Sequence, residues 1–181
     1  TVMQAVVKNP LADPYVLGVS SGAYLGAAAS IILGIGAVVG DNSIGIMAFA
    51  GAFLASLAVL AISGIGGRSS ATRLILAGMA ISAVCSAFAN FLIYMSQDRE
   101  ATTQISYWSM GSLAAADWDN VPVTLMVMIL GAMLFMTQYR KLNLMLLGDE
   151  TAITLGTDLH KARMAYMLLS AFMVGFAVCA A

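Results

Sequence analysis

"NPLADPYVLGVSSGAYLGAAAS", residues 9–30, admits two readings that lead to different folds. Gly18-Val19-Ser20-Ser21-Gly22 matches the G-x-S-x-G turn, a sharp strand-to-helix bend that presents a hydrolase serine. The same stretch sets Gly18, Gly22 and Gly26 at every fourth position, and Ser30 and Gly34 continue the series. Residues at that spacing share a helix face, so the second reading is a stripe of small residues that lets another helix approach closely. A nucleophile turn needs a strand before the serine and a histidine base in reach. The one histidine, His160, lies in a charged segment far along the chain. The Ser20 and Ser21 hydroxyls can bond instead to carbonyls one turn back. Asn9-Pro10 and Asp13-Pro14 break the chain before this helix, because a residue preceding proline is pushed out of helical geometry. The packing reading is preferred, with an intramembrane serine hydrolase kept as a lesser alternative.

Composition points the same way. Of 181 residues, 61% are hydrophobic and 9% charged, and mean hydropathy is +0.92. Soluble domains carry roughly 25% charged residues, so a chain this apolar is expected to live in a membrane, in contact with lipid. The net charge is −1 and the eight Lys and Arg are scattered, with no basic patch for nucleic acid. Cys85 and Cys179 lie in apolar runs without metal-ligand spacing and read as small core residues rather than a disulfide; no metal or cofactor is expected. The chain opens at Thr1 with no basic-then-apolar leader and ends inside an apolar run, so the expectation is a piece of a longer chain.

Four stretches, near 15–39, 44–65, 74–95 and 121–139, are long enough to span a bilayer, and a fifth starts near Met164. Runs of this length suit helices, since lone strands leave their backbone groups unpaired in lipid. The expected fold is all-α, a polytopic transmembrane bundle of about five spanning helices forming a single domain over 1–181. Residues 96–120 differ: a short apolar run over 105–116, with Trp108 and Trp118 at headgroup level, suggests an interfacial or re-entrant helix. Lys8, Arg68, Arg73, Arg140, Lys141, Lys161 and Arg163 then share one side and Arg99 stands alone on the other, which makes the first side cytoplasmic. Asp41, Asp98, Glu100, Asp117 and Asp119 make the opposite face acidic.

A second small-residue row, Gly78, Ser82, Ser86 and Asn90, runs through the third span. Gly78 reads as packing. Ser82, Ser86 and Asn90 read equally as packing or as the lining of a pathway, since a carboxamide at membrane depth needs a partner or water. The segment 140–163, "RKLNLMLLGDETAITLGTDLHKAR", is read as a cytoplasmic loop. Asp149-Glu150 suits a helix start and Gly156 a helix stop. A helix between them would present Ala152 and Leu155, beside Leu144, Leu146 and Leu147, as an apolar docking knob; an ordinary surface loop is the other possibility.

Glu150-Thr151-Ala152-x-x-x-Gly156 resembles the E-A-A-x-x-x-G coupling motif of bacterial ABC importer permeases, with Thr151 in place of the first Ala. "NPLADPYVLGVSSGA", "RLILAGMAISAVCSA", "YWSMGSLAAADW" and "LNLMLLGDETAITLG" follow in an order similar to the FecCD family of permeases for iron–siderophores, haem and vitamin B12. The resemblance covers nearly the whole chain. It implies the central part of a bundle of roughly ten spanning helices packed against one another, in a multi-pass permease of the bacterial inner membrane. It implies as partners a second permease subunit or homologous half, two cytoplasmic ATPase subunits, and a periplasmic or lipid-anchored substrate-binding protein. Within 142–160 it assigns ATPase coupling to Gly148, Asp149, Glu150, Ala152, Leu155 and Gly156. Two turns, Asn9-Pro10-Leu11 and Ser70-Ala71-Thr72, each precede a span on the cytoplasmic side. The resemblance makes Asn9, Leu11, Ala71 and Thr72 an inner gate; the other reading is helix capping by Ser70 or Thr72. Such a permease does no bond chemistry itself. An ion-driven secondary transporter is the remaining alternative, but it would bury charged groups at mid-membrane, and no Asp, Glu, Lys or Arg lies well inside a span. Met126, Met128, Met133, Met136, Met164, Met167 and Met173 read as adaptable packing rather than haem ligands.

Overall fold

A computed structural model of the chain describes residues 2–10, 12–13, 17–35, 40, 42–64, 70–111, 118, 121–147 and 159–180. These form eight helices: α1 (Val2–Val7), α2 (Val19–Leu33), α3 (Ser43–Gly64), α4 (Ala71–Ser96), α5 (Arg99–Met110), α6 (Val121–Thr137), α7 (Tyr139–Leu147) and α8 (Leu159–Ala180). No strand occurs among the described residues. The fold is an all-α polytopic membrane bundle.

Among the described residues three helices are long and apolar enough to cross a bilayer: α3, α4 and the stretch Lys161–Cys179 of α8. A fourth crossing is available to α6 and α7 together, which bend by 64° at their junction. The expected first span is shorter than its apolar run. At 15 residues, α2 reaches about 22 Å, short of the roughly 30 Å hydrocarbon core. Left-handed glycines bound it at both ends, Gly18 with φ 79° and Gly34 with φ 64°.

The packing of α2 on α3 follows from glycine. A Cβ on Gly22 would lie 2.5 Å from the Gly51 carbonyl oxygen and from the Ala55 Cβ. One on Gly26 would collide with the Met47 carbonyl, and one on Gly51 with the Gly22 carbonyl. The two backbones therefore touch with no side chain between them, antiparallel, across Ala23, Ala27, Ala48 and Ala52. Gly18 instead faces α4, near Ile81 and Ser82. Because Gly18 is level with Gly78–Ser82, α2 opens about two turns past the start of α4.

The short non-spanning helix exists, but six residues earlier than its expected position. Asp98 starts α5: its Oδ1 accepts from the Glu100 N–H at 2.8 Å, and Gly111 (φ 76°) ends the helix. Ile105 buries against Ala28 of α2 and Ala89 of α4. Trp108 tucks against the α2–α3–α8 contact, while Trp118 is 83% exposed. On α6 a buried glycine, Gly131, receives the Met173 side chain of α8; Met126, Met133 and Met136 point outward. Cys85 and Cys179 are free thiols.

The segment expected as a loop from Arg140 is helical through Leu147. Leu142, Leu144 and Met145 fall on one face, and burial of that face orders α7. Met145 is fully buried, and Leu144 packs on the core rather than forming part of an exposed knob; Leu146 remains exposed. Likewise α8 begins at Leu159, before the expected Met164, so Lys161 and Arg163 are helical.

Candidate functional site

One end of the bundle holds both of the turns that the sequence offers as a gate and the two helices that flank residues 148–156. A single apolar cluster joins Met3, Val6 and Val7 of α1, Ala12 and Leu17 after it, Val59 of α3, Leu74 and Ala77 of α4, Met145 of α7, and Tyr166 and Met167 of α8. Both proposed gate turns border this cluster. Both helices that flank residues 148–156, α7 and α8, are rooted in it. Leu11 and the whole coupling motif, Gly148, Asp149, Glu150, Ala152, Leu155 and Gly156, lie outside the described residues.

The turn after α1 is held by its own backbone. Asn9 N–H donates to the Gln4 carbonyl (3.2 Å) and Ala12 N–H to the Asn9 carbonyl (3.0 Å). The Gln4 side chain donates to the Pro10 carbonyl at 2.7 Å. Lys8, with φ 54°, closes α1 in the left-handed region. Ser70 caps α4, its Oγ accepting from Arg73 N–H at 3.3 Å. Thr72 is therefore not the cap: it is exposed in the first turn, beside half-buried Ala71. Sequence reasoning missed Arg163. It is 3% exposed, and its Nε donates to the Val6 carbonyl at 3.2 Å, a bond between residues 157 positions apart. In the sequence Arg163 reads only as one of the charges of the cytoplasmic loop, and the fold reveals its burial.

Farther along α4, Ser82 and Ser86 are half-buried and Asn90 is exposed. Ser82 faces Gly18 at the opening of α2, whereas Asn90 shares an outward face with Ala83, Ala87 and Tyr94. The row is thus divided between helix contact and open surface. Ser20 is the second residue of α2, and Ser21 Oγ donates to the Gly18 carbonyl at 3.1 Å. The G-x-S-x-G stretch is helix from Val19 onward, so the nucleophile turn is not formed. No group of three or more His, Cys, Asp or Glu that could hold a metal occurs among the described residues.

Known proteins resemble this chain over nearly its whole length. The pattern of the FecCD transport family matches residues 1–181. The hemin transport system permease protein HmuU of Yersinia pestis is 39% identical over 180 residues, covering 98% of this chain and 53% of that protein. The cobalamin import system permease protein BtuC of Halobacterium salinarum is 34% identical over 177 residues, covering 98% and 47%. The vitamin B12 import system permease protein BtuC of Salmonella typhi is 36% identical, covering 99% and 54%. The chain thus spans about half the length of the curated relatives it matches. A metal-chelate type ABC transporter solved in an inward-facing conformation superposes with a TM-score of 0.80 at 28% identity, covering 98% of this chain and 56% of that one. With a bundle of glycine-packed helices and a family pattern that runs over residues 1–181, the chain belongs to the FecCD transport family.

Proposed function

We propose that this chain is part of the transmembrane permease of an ABC importer, carrying a metal chelate of the iron–siderophore, haem or cobalamin class across the bacterial inner membrane. The permease is a conduit, not an enzyme; partner ATPases hydrolyse ATP. The carrying observation is the cluster shared by both flanks of residues 148–156 and by both gate turns. A push on the segment between α7 and α8 reaches the turn at Asn9 and the first turn of α4 through packed side chains, and packed interiors transmit displacement rather than absorb it. The names of the relatives support the substrate class and the family supports the partners: a second permease copy or homologous half, paired cytoplasmic ATPases and an external binding protein. Gly148, Asp149, Glu150, Ala152, Leu155 and Gly156 form the ATPase contact. Asn9, Leu11, Ala71 and Thr72 form the inner gate, and Ser82, Ser86 and Asn90 border the pathway. The family and the absence of mid-span charge favour an external motor over an ion gradient.

Ala152→Asp tests the contact. A small residue sits where a partner must come close, and burying an unpaired carboxylate there costs several kcal/mol, on the order of 3–5. The variant permease is expected to insert normally but to lose co-purification with its ATPase and chelate-stimulated ATP hydrolysis. Normal co-purification with stimulated hydrolysis would remove this segment from the coupling role.

A further inference from the structure

We propose that Arg163 is the positioning residue that fastens the start of α8 to the end of α1, so that movement of the segment between α7 and α8 is delivered to the turn at Asn9. This rests on the permease reading above.

The bond has a specific cause. In a continuing helix the Val6 carbonyl would accept from the N–H of residue 10, four positions on. Residue 10 is proline and has no N–H to give. Lys8 has already turned into the left-handed region, and Asn9 N–H is used by the Gln4 carbonyl. Val6 is fully buried, so water cannot supply the donor. Arg163 supplies it, from a helix on the other side of the 148–156 segment. A guanidinium also suits the negative end of a helix.

The surroundings explain why a polar bond matters there. Val6, Val7, Tyr166, Met167 and Met145 meet through apolar contact, which is non-directional and sets the spacing of the helices more firmly than their register. A hydrogen bond to a backbone carbonyl fixes one register. Arg163 is therefore the pin that makes α1 and α8 move together.

The test uses the full-length permease assembled with its ATPase, with all native cysteines replaced and one cysteine at position 8, next to the turn. Labelling by an impermeant maleimide is followed with and without ATP plus vanadate. In the parent protein the labelling rate at position 8 should change with nucleotide. Arg163→Met should keep ATPase association and ATP hydrolysis while the nucleotide response at position 8 falls about tenfold, in the ordinary range of coupling effects. Arg163→Lys, which can still donate to the carbonyl, should recover part of the response. Should Arg163→Met fail to fold, Arg163→Lys carries the test alone: its response at position 8 should fall below the parent's, because a single flexible ammonium replaces the rigid guanidinium fork, and a parental response there would overturn the pin. A parental response in Arg163→Met, or loss of the ATPase from it, would overturn the pin. Absence of any nucleotide response in the parent complex would instead overturn the permease reading on which the pin depends.

Discussion

Gly26 comes so near α3 that a methyl group on it would fall on the Met47 carbonyl, and the two helices could make room only by parting along their close-packed contact. Gly26→Val should therefore destabilise the protein by about 3 kcal/mol or more, at the upper end of overpacking costs. Gly64 is the contrasting case: nothing lies within 4 Å of the position a Cβ would take. Gly64→Ala should be neutral or stabilise α3 by up to about 1 kcal/mol, the usual gain over a helical glycine. Unfolding in mixed micelles titrated with SDS reads both; equal midpoints for the two variants would mean that the α2–α3 contact is looser than its geometry. The glycine spacing was legible in the sequence because periodicity reports a face directly. What it faces was not: Gly22 and Gly26 meet α3 but Gly18 meets α4, and only the depth at which α2 opens separates them. Arg163 was illegible for a related reason. Its partner is a backbone carbonyl orphaned by a proline far away in sequence, and no local pattern encodes that pairing.

At the scale of elements, hydropathy located the long helices well and the short ones poorly. α3 and α4 agree with their apolar runs to within a few residues, since length and apolarity are the signal. α5 starts earlier than its apolar run because residues 99–104, polar except for the buried Ala101, are helical for other reasons. Asp98 caps the helix, and the Thr102 and Thr103 hydroxyls bond to carbonyls four residues back. α7 is amphipathic and short, so its buried face did not stand out from a charged loop. The elements also bear on sidedness. Arg73 lies in the first turn of the 26-residue α4 and Arg99 opens α5 just past its other end, and Arg163 meets α1 at the same end as the Arg73 turn. With basic residues crowded at that end, a cysteine at 8 is expected to be shielded from an impermeant maleimide in intact cells, while one at 100 is labelled. The reverse labelling would invert the bundle and move the gate turns to the outer face.

At the scale of the molecule, the turn at Asn9 and the first turn of α4 act as one structure because Val7, Ala12 and Leu74 belong to the same cluster. A gate built this way cannot open at one turn and stay shut at the other, as their shared core would have to part and expose buried apolar surface. Each methylene uncovered costs about 0.8 kcal/mol, so rigid movement of both turns is the cheaper route. Two facing permease copies would then present four such turns around one axis, and joining the copies at either turn should hold all four. Cysteines at 9 or at 72, cross-linked between copies in membrane vesicles loaded with ATP and the partner ATPase, should each reduce chelate uptake to about a tenth or less, the scale of a coupling free energy near 1.4 kcal/mol or above. Because Ser70 rather than Thr72 caps α4, a cysteine at 72 leaves that cap in place and the uncross-linked variant should transport normally. Uptake is measured with haemin, cobalamin and a ferric siderophore in turn. A block at 72 with free passage at 9 would mean that the two turns move separately, and undiminished uptake with both cross-links closed would take the gate away from this end of the bundle.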